Sequence, residues 1–478
     1  MILKPDDPRQ FELTCRADIV KEEPLVGLID RVVNNLDLNE LYSRFSEAGR
    51  SFYDPSMQLK VLFFAYCDGV RASREIAKHI SYDLRYRYFC GCLRPDFRTI
   101  NRFRKDNLDL LGEYFAQIVL LCEESGLLDL SVLALDGTKL RANSSGRNGT
   151  RVGLVKVLRD SLQTDADIEE PDKVADNEDE QELLEVRTTV DRKFSDPDAR
   201  YMKTSEGGKR LSYNSQIMVD KNQLIVLAEV GNNACDSVYL RGLLNKSKQL
   251  FGGRIGAVAA DGGYCSGRNL QYAADEGVDL YLPLGKGDGR VPDEAFNRHA
   301  FKYDALRDVY ICPAGKELRY SGLRNRNGLK SRRYSGSSRI CGRCAVRLSC
   351  TRARYRRLEI SDYYKFEQQM KTKMASRTGR VMSVLRRCLV EPVFGNIKFN
   401  LGFNRFRLRT LNKVRGEFYL ICIAHNLKKM LNLLGNPLIL SAFKDIIKNI
   451  IAYLKIMIIY RLDKERFPKL YRIVLSTR

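Results

Sequence analysis

Along the first 128 residues, apolar side chains recur at three- and four-residue spacing, the period of helices with a buried face. The pattern predicts helices over Pro55-Ser-Met-Gln-Leu-Lys-Val-Leu-Phe-Phe-Ala-Tyr, over Ser73-Arg-Glu-Ile-Ala-Lys-His-Ile, from Asp96 to Lys105, and from Leu108 to Leu121. Asp96, directly after Pro95, is the expected N-cap of the third. From Ser131 the runs shorten to strand length, at Val132 to Leu135, Leu211 to Val219, Leu224 to Val230, Ile255 to Ala260 and Leu280 to Leu284. Asp220-Lys-Asn-Gln reads as the turn joining the second and third, and helical stretches, Ser237 to Leu250 and Ser266 to Glu276, separate the later ones.

Three strands, then helix, strand, helix and strand, is the order of a ribonuclease-H-like mixed sheet. The expected fold class is therefore multi-domain α+β, with that sheet as the core. A helical, helix-turn-helix-like unit is expected over 1–128, the core over 129–284 and 360–436, a basic insertion over 285–359, and an amphipathic helical tail over 437–478. An acidic arm, 160–190, interrupts the core and reads as a solvated linker. In the tail, Lys444, Asp445, Lys448 and Lys455 break the Ile/Leu run before it reaches membrane-spanning length. What remains is a helix suited to packing or dimerisation.

Charge narrows the partners. The chain has 81 Lys and Arg against 59 Asp and Glu, a net +22, which suits a polyanion: nucleic acid first, an anionic membrane surface second. The third predicted helix concentrates basic residues, so Arg98, Asn101 and Arg102 are candidate DNA contacts; an ordinary solvated basic face is the alternative. The 13 cysteines are odd in number and no secretion signal precedes them. A disulfide framework is not expected, and the expected compartment is a reducing cytoplasm.

Three acids stand out. Asp136 closes Ser131-Val-Leu-Ala-Leu-Asp-Gly, Asp261 closes Ile255-Gly-Ala-Val-Ala-Ala-Asp-Gly-Gly, and Glu391 lies in a predicted helix with Arg387 and Lys398. At about 100° per residue, Arg387, Glu391 and Lys398 fall on one stripe, a carboxylate between two phosphate-binding cations. Pro392 is expected to kink or restart that helix. In the expected sheet the first and fourth strands are neighbours and the helix crosses them, which would gather all three carboxylates. Such a set can hold two divalent metals.

At this point the chain resembles the bacterial insertion-sequence transposases with a DDE catalytic triad. The resemblance runs from about Phe11 to Leu434 and is carried by Glu391-Pro-Val-Phe-Gly-Asn-Ile-Lys, Gly402-Phe-Asn-Arg-Phe-Arg-Leu-Arg, Lys413-Val-Arg-Gly-Glu and Ala424-His-Asn-Leu-Lys-Lys. The Arg, Glu and Lys of the family signature match Arg387, Glu391 and Lys398, while the position of its tyrosine is Val384. The resemblance implies that Asp136, Asp261 and Glu391 bind two Mg²⁺, with Mn²⁺ able to substitute, and that the protein cuts element ends at terminal inverted repeats and joins them to target DNA, both double-stranded, acting as a homodimer. A metal-dependent nuclease would share every one of these residues. A domesticated, non-catalytic DNA-binding protein is the further alternative.

A separate set is Cys312, Cys341, Cys344 and Cys350 in an arginine-rich stretch. Four thiolates with one Cys-x2-Cys pair suit tetrahedral Zn²⁺; incidental reduced cysteines are the other reading. His425, among apolar neighbours, reads as structural. Asp236, in the loop after the third strand, reads as a turn or capping residue, with an approach to the site as the other reading.

Overall fold

The computed structural model describes residues 18–45, 52–144, 155–157, 184–186, 195–204, 207–284, 293–326 and 329–435. The expected tail over 437–478 and nearly all of the acidic arm lie outside them.

Among the described residues, eight helices come first: α1 (Ile19–Glu22), α2 (Pro24–Asn34), α3 (Asn39–Ser43), α4 (Pro55–Cys67), α5 (Ser73–Tyr82), α6 (Leu84–Cys90), α7 (Phe97–Asp106) and α8 (Leu111–Glu124). Asp96 caps α7 as expected, its Oδ1 accepting from the Thr99 amide at 2.7 Å. Then follow β1 (Val132–Arg141), the antiparallel pair β2 (Val155–Val157) and β3 (Leu184–Val186), β4 (Arg200–Lys203), β5 (Lys209–Val219) and β6 (Ile225–Gly231). After α9 (Leu240–Phe251) come β7 (Ala257–Ala260), α10 (Gly267–Asp275) and β8 (Leu280–Tyr281).

The main sheet runs β4-β5-β1-β7-β8, with β6 also on β5. β1 is antiparallel to β5 and parallel to β7, and β7 is parallel to β8. Arg200–Lys203 and Ile225–Gly231 divide the outer edge of β5 between them. β4 is not legible in the pattern, because only Met202 of its four residues is buried. β1 is also longer than its apolar run predicts. Its pairing with β5 continues past Asp136, opposite Ile217, to Arg141, opposite Ser212. Asp136-Gly137 is therefore inside a strand, a correction to the strand end expected at Leu135. Asp261 does follow its strand, β7, directly.

A second antiparallel sheet, ordered β13-β12-β11-β10-β9, is built from β9 (Lys302–Asp304), β10 (Val309–Ile311), β11 (Glu317–Arg326), β12 (Leu329–Ser335) and β13 (Arg357–Ser361). Short helices α11 (Ser338–Gly342) and α12 (Arg347–Cys350) sit in the β12–β13 connection. Phe301, Tyr310, Leu318, Tyr334 and Leu358 form a small core of its own.

The chain then forms α13 (Tyr364–Ala375), α14 (Arg377–Gly395), a π-helical segment Asn396–Asn400, and α15 (Leu411–Leu434). Pro392 lies inside α14 rather than restarting it. Proline has no amide hydrogen for the carbonyl four residues back. That carbonyl, of Cys388, instead accepts from Gln223 Nε2 at 3.3 Å.

α4 is apolar on nearly every side, the signature of a helix buried all round, and α15 is largely buried through its middle, from Val414 to Leu427. α15 packs on α2, α4 and α8 on one side and on β6 on the other. One continuous apolar core consequently joins the N-terminal helices to the main sheet.

Candidate functional site

Asp136 and Asp261 are brought together where β1 and β7 lie side by side. Between them is Arg386 of α14: Nη1 donates to Asp136 Oδ2 at 2.8 Å, and Nη2 is 4.0 Å from Asp261 Oδ2. The Gly137 amide donates to Asp136 Oδ1 at 2.8 Å, and the Gly263 amide to Asp261 Oδ1 at 2.8 Å. Burial raises the Asp136 carboxyl above the usual carboxylate range; Arg386 opposes this and Asp261 adds to it. Burial lowers the Lys398 ammonium, against the pull of Asp136. Two coupled acids and two cations thus share one neighbourhood.

The sequence points to Arg387, whereas the arginine that meets the two acids is its neighbour Arg386. Arg387 is exposed, whereas the Arg386 side chain is only 11% exposed, because Arg386 lies on the same face of α14 as Leu389, Val390 and Val393, which pack inward. An arginine at helical spacing with buried apolar residues is the signal that would have found it. Glu391, on the same helix, is exposed and makes no hydrogen bond or ion pair with the described residues. Val384, where the family signature has tyrosine, is 51% exposed.

A second group lies behind these. Asp236 Oδ1 accepts from Lys139 Nζ at 2.7 Å, Asn214 Nδ2 at 2.7 Å and Gln216 Nε2 at 2.8 Å. This exceeds the turn or cap expected of Asp236. Tyr264 is buried and donates its hydroxyl to Gln216 Oε1. Burial and the charges of Asp136, Asp236 and Asp261 raise its phenol well above the ordinary value.

Arg98, Asn101 and Arg102 line a groove between α5 and α7, with Arg74, Phe97 and Lys105. Arg74 and Arg98 stack on the Phe97 ring, at 5.1 and 5.7 Å. Asn101 is partly committed elsewhere, its Oδ1 accepting from buried Arg104 at 3.0 Å.

Cys312, Cys341, Cys344 and Cys350 line one pocket at the second sheet, with Leu318, Ile340 and Val346. Burial, then the other three cysteines, raise the Cys350 thiol. Neither these thiols nor the three acids put three ligand atoms within 4.8 Å of one another. Among the described residues only Asp68, His79 and Asp83 do so, and Arg85 already binds both of those carboxylates.

The site so far defines a mixed α+β protein with a coupled carboxylate pair and flanking cations at neighbouring strands. Two family models then match the chain: a transposase DDE domain over residues 311–431, which includes Arg386, Glu391 and Lys398, and a transposase domain, DUF772, over residues 14–106. Both matches point to an insertion-sequence transposase. No curated protein matches it. A cryo-EM structure of a piggyBac transposase synaptic complex with hairpin DNA aligns with 97% of this chain and 84% of that one, at 7% identity and a TM-score of 0.31. A likeness that weak bears on neither fold nor chemistry. No helix among the described residues is long and apolar enough to cross a membrane.

Proposed function

We propose that the protein cleaves the ends of an insertion element and joins them to target DNA, on a ribonuclease-H-like core in which Asp136, Asp261 and Glu391 are the metal-binding acids. The observation that carries this reading is the pairing of Asp136 and Asp261, remote in sequence, about one arginine of the helix that bears Glu391. The strand order, with one antiparallel pair and two parallel ones around β1, supports the fold assignment.

The donor set is all carboxylate oxygen, the class that Mg²⁺ and Mn²⁺ take, and two such ions would activate a water or a DNA 3′-hydroxyl and stabilise the leaving oxygen. Arg386 opposes the effect of burial on Asp136 and so favours its ionised form. Lys398 and exposed Arg387 are suited to the scissile and flanking phosphates. Arg98 and Arg102 in the α5–α7 groove would hold the element end, and the cysteine pocket fits structural Zn²⁺ in thiolate character and number. Two DNA ends must be cut together, which favours a homodimer.

Incubation of the purified protein with a labelled element end and Mg²⁺, beside Glu391→Ala, tests the proposal. Cleavage and joining by the wild type, and neither by the variant, are expected. Cleavage that survives Glu391→Ala would overturn the acid assignment, and cleavage without joining would make the protein a nuclease.

A further inference from the structure

We infer that Gln216, backed by Asp236, is a positioning element that fixes the separation of Asp136 and Asp261; this rests on the reading of those acids as one metal-binding site. Alternation along a strand puts successive side chains on opposite faces. Asp136 meets Arg386 of α14 on one face, so Gly137 and its cross-strand partner Gln216 belong to the other. Gln216 is fully buried and both ends of its amide are engaged. Nε2 donates to Asn214 Oδ1 and Asp236 Oδ1, each at 2.8 Å, and Oε1 accepts from the Tyr264 hydroxyl.

Tyr264 ends the short turn that Asp261 caps. Asn269 ties that turn to the Asp236 loop, its Nδ2 donating to Tyr264 O at 2.8 Å and Ser237 O at 2.7 Å. The connection from one acid to the other is thus Asp136-Gly137, the Gln216 amide, and Tyr264 back to Asp261. It also explains the glycine. A β-carbon at residue 137 would stand 2.2 Å from Gln216 Nε2. A free amide tip could swing aside, but this one would have to release Asp236 or Tyr264. Gly137 is required by the brace, with no turn involved.

The test compares wild type, Gln216→Ala, Tyr264→Phe, Gly137→Ala and the double variant Gly137→Ala/Gln216→Ala in two assays: Mn²⁺ affinity by titration in the absence of DNA, and thermal midpoint. Loss of a partner that orients a metal ligand weakens binding by about tenfold or more. That loss is expected for each single variant. Removing Gln216 relieves the crowding, so Gly137→Ala should cost no further midpoint in the Gln216→Ala background, and the double variant should still bind Mn²⁺ weakly. Tyr264→Phe keeps the ring and hence the fold, so its Mn²⁺ affinity reports the hydroxyl link alone. Wild-type Mn²⁺ affinity in Gln216→Ala or Tyr264→Phe, or full recovery of affinity in the double variant, would overturn the inference. A wild-type protein that neither binds Mn²⁺ nor cleaves DNA would instead bring down the reading of the acids beneath it.

Discussion

His425 ties the helix carrying Glu391 to the sheet, and the cost of protonating it can be worked out. Its Nε2 donates to the Gln223 carbonyl at 2.9 Å and its Nδ1 accepts from Asn396 Nδ2 at 2.9 Å. Only the neutral ring can do both, since a second proton would point at the amide donor. Burial is the main reason that its pKa falls from 6.5 to about 4. The folded pKa lies below the unfolded one, so this contribution is complete above pH 6.5 and is lost as pH falls toward 4. Linkage gives a loss of about 2 kcal/mol between about pH 7 and about pH 5 from this residue alone. His425→Leu removes the titration but strands an amide and a carbonyl, costing about 2–4 kcal/mol near neutrality. Urea unfolding followed by far-UV circular dichroism, at several pH values, should show the wild type's advantage over His425→Leu shrinking by that 2 kcal/mol on acidification. An advantage independent of pH would refute the account of His425 as a buried neutral bridge.

Other positions give simpler expectations. Gly416→Ala would put a β-carbon 2.7 Å from Leu108 Cβ and 2.8 Å from its backbone oxygen, where α15 meets the N-terminal helices; a destabilisation of about 1–3 kcal/mol in urea is expected, and a neutral result would contradict the tight packing. Arg98→Ala and Arg102→Ala should each weaken duplex binding and lower the slope of log affinity against log salt by about 0.9; an unchanged slope would remove that residue from the DNA face. Cys344→Ser should lower the zinc content of the purified protein and its thermal midpoint together, whereas equal zinc in variant and wild type would leave the cysteines as ordinary thiols.

Much of the sheet is legible because its strands alternate with helices of a different period, and Asp261 can be found because it ends a clear apolar run. Asp136 was harder. β1 runs on through Gly137, Thr138 and Lys139, which look like a turn until β5 pairs with them. The roles of Arg386 and Asp236 are less legible, because they arise from contacts with remote strands, which no local spacing reveals.

The motifs that carry the family resemblance prove partly architectural. Glu417 is buried and accepts from the amides of Arg407 and Leu408, at 3.0 and 2.9 Å. Arg71 of the N-terminal helices donates to the carbonyls of Gly402 and Arg405, each at 3.0 Å, and stacks on Phe403. Asn426 brackets edge-strand residue Ile225, accepting from its amide and donating to its carbonyl, each at 2.8 Å. A sequence shows that such residues are specific without showing whether they serve chemistry or assembly. Here they join the helical region, the sheet and the Glu391 helix into one body.

The central claim is that Glu391 completes a metal site with Asp136 and Asp261, and Glu391→Cys tests it most directly. A thiolate is a poor ligand for Mg²⁺ and an acceptable one for Mn²⁺. Cleavage of a labelled element end by this variant should be lost in Mg²⁺ and recovered in Mn²⁺. Equal activity of variant and wild type in Mg²⁺, or no recovery in Mn²⁺ by a folded variant, would contradict the account.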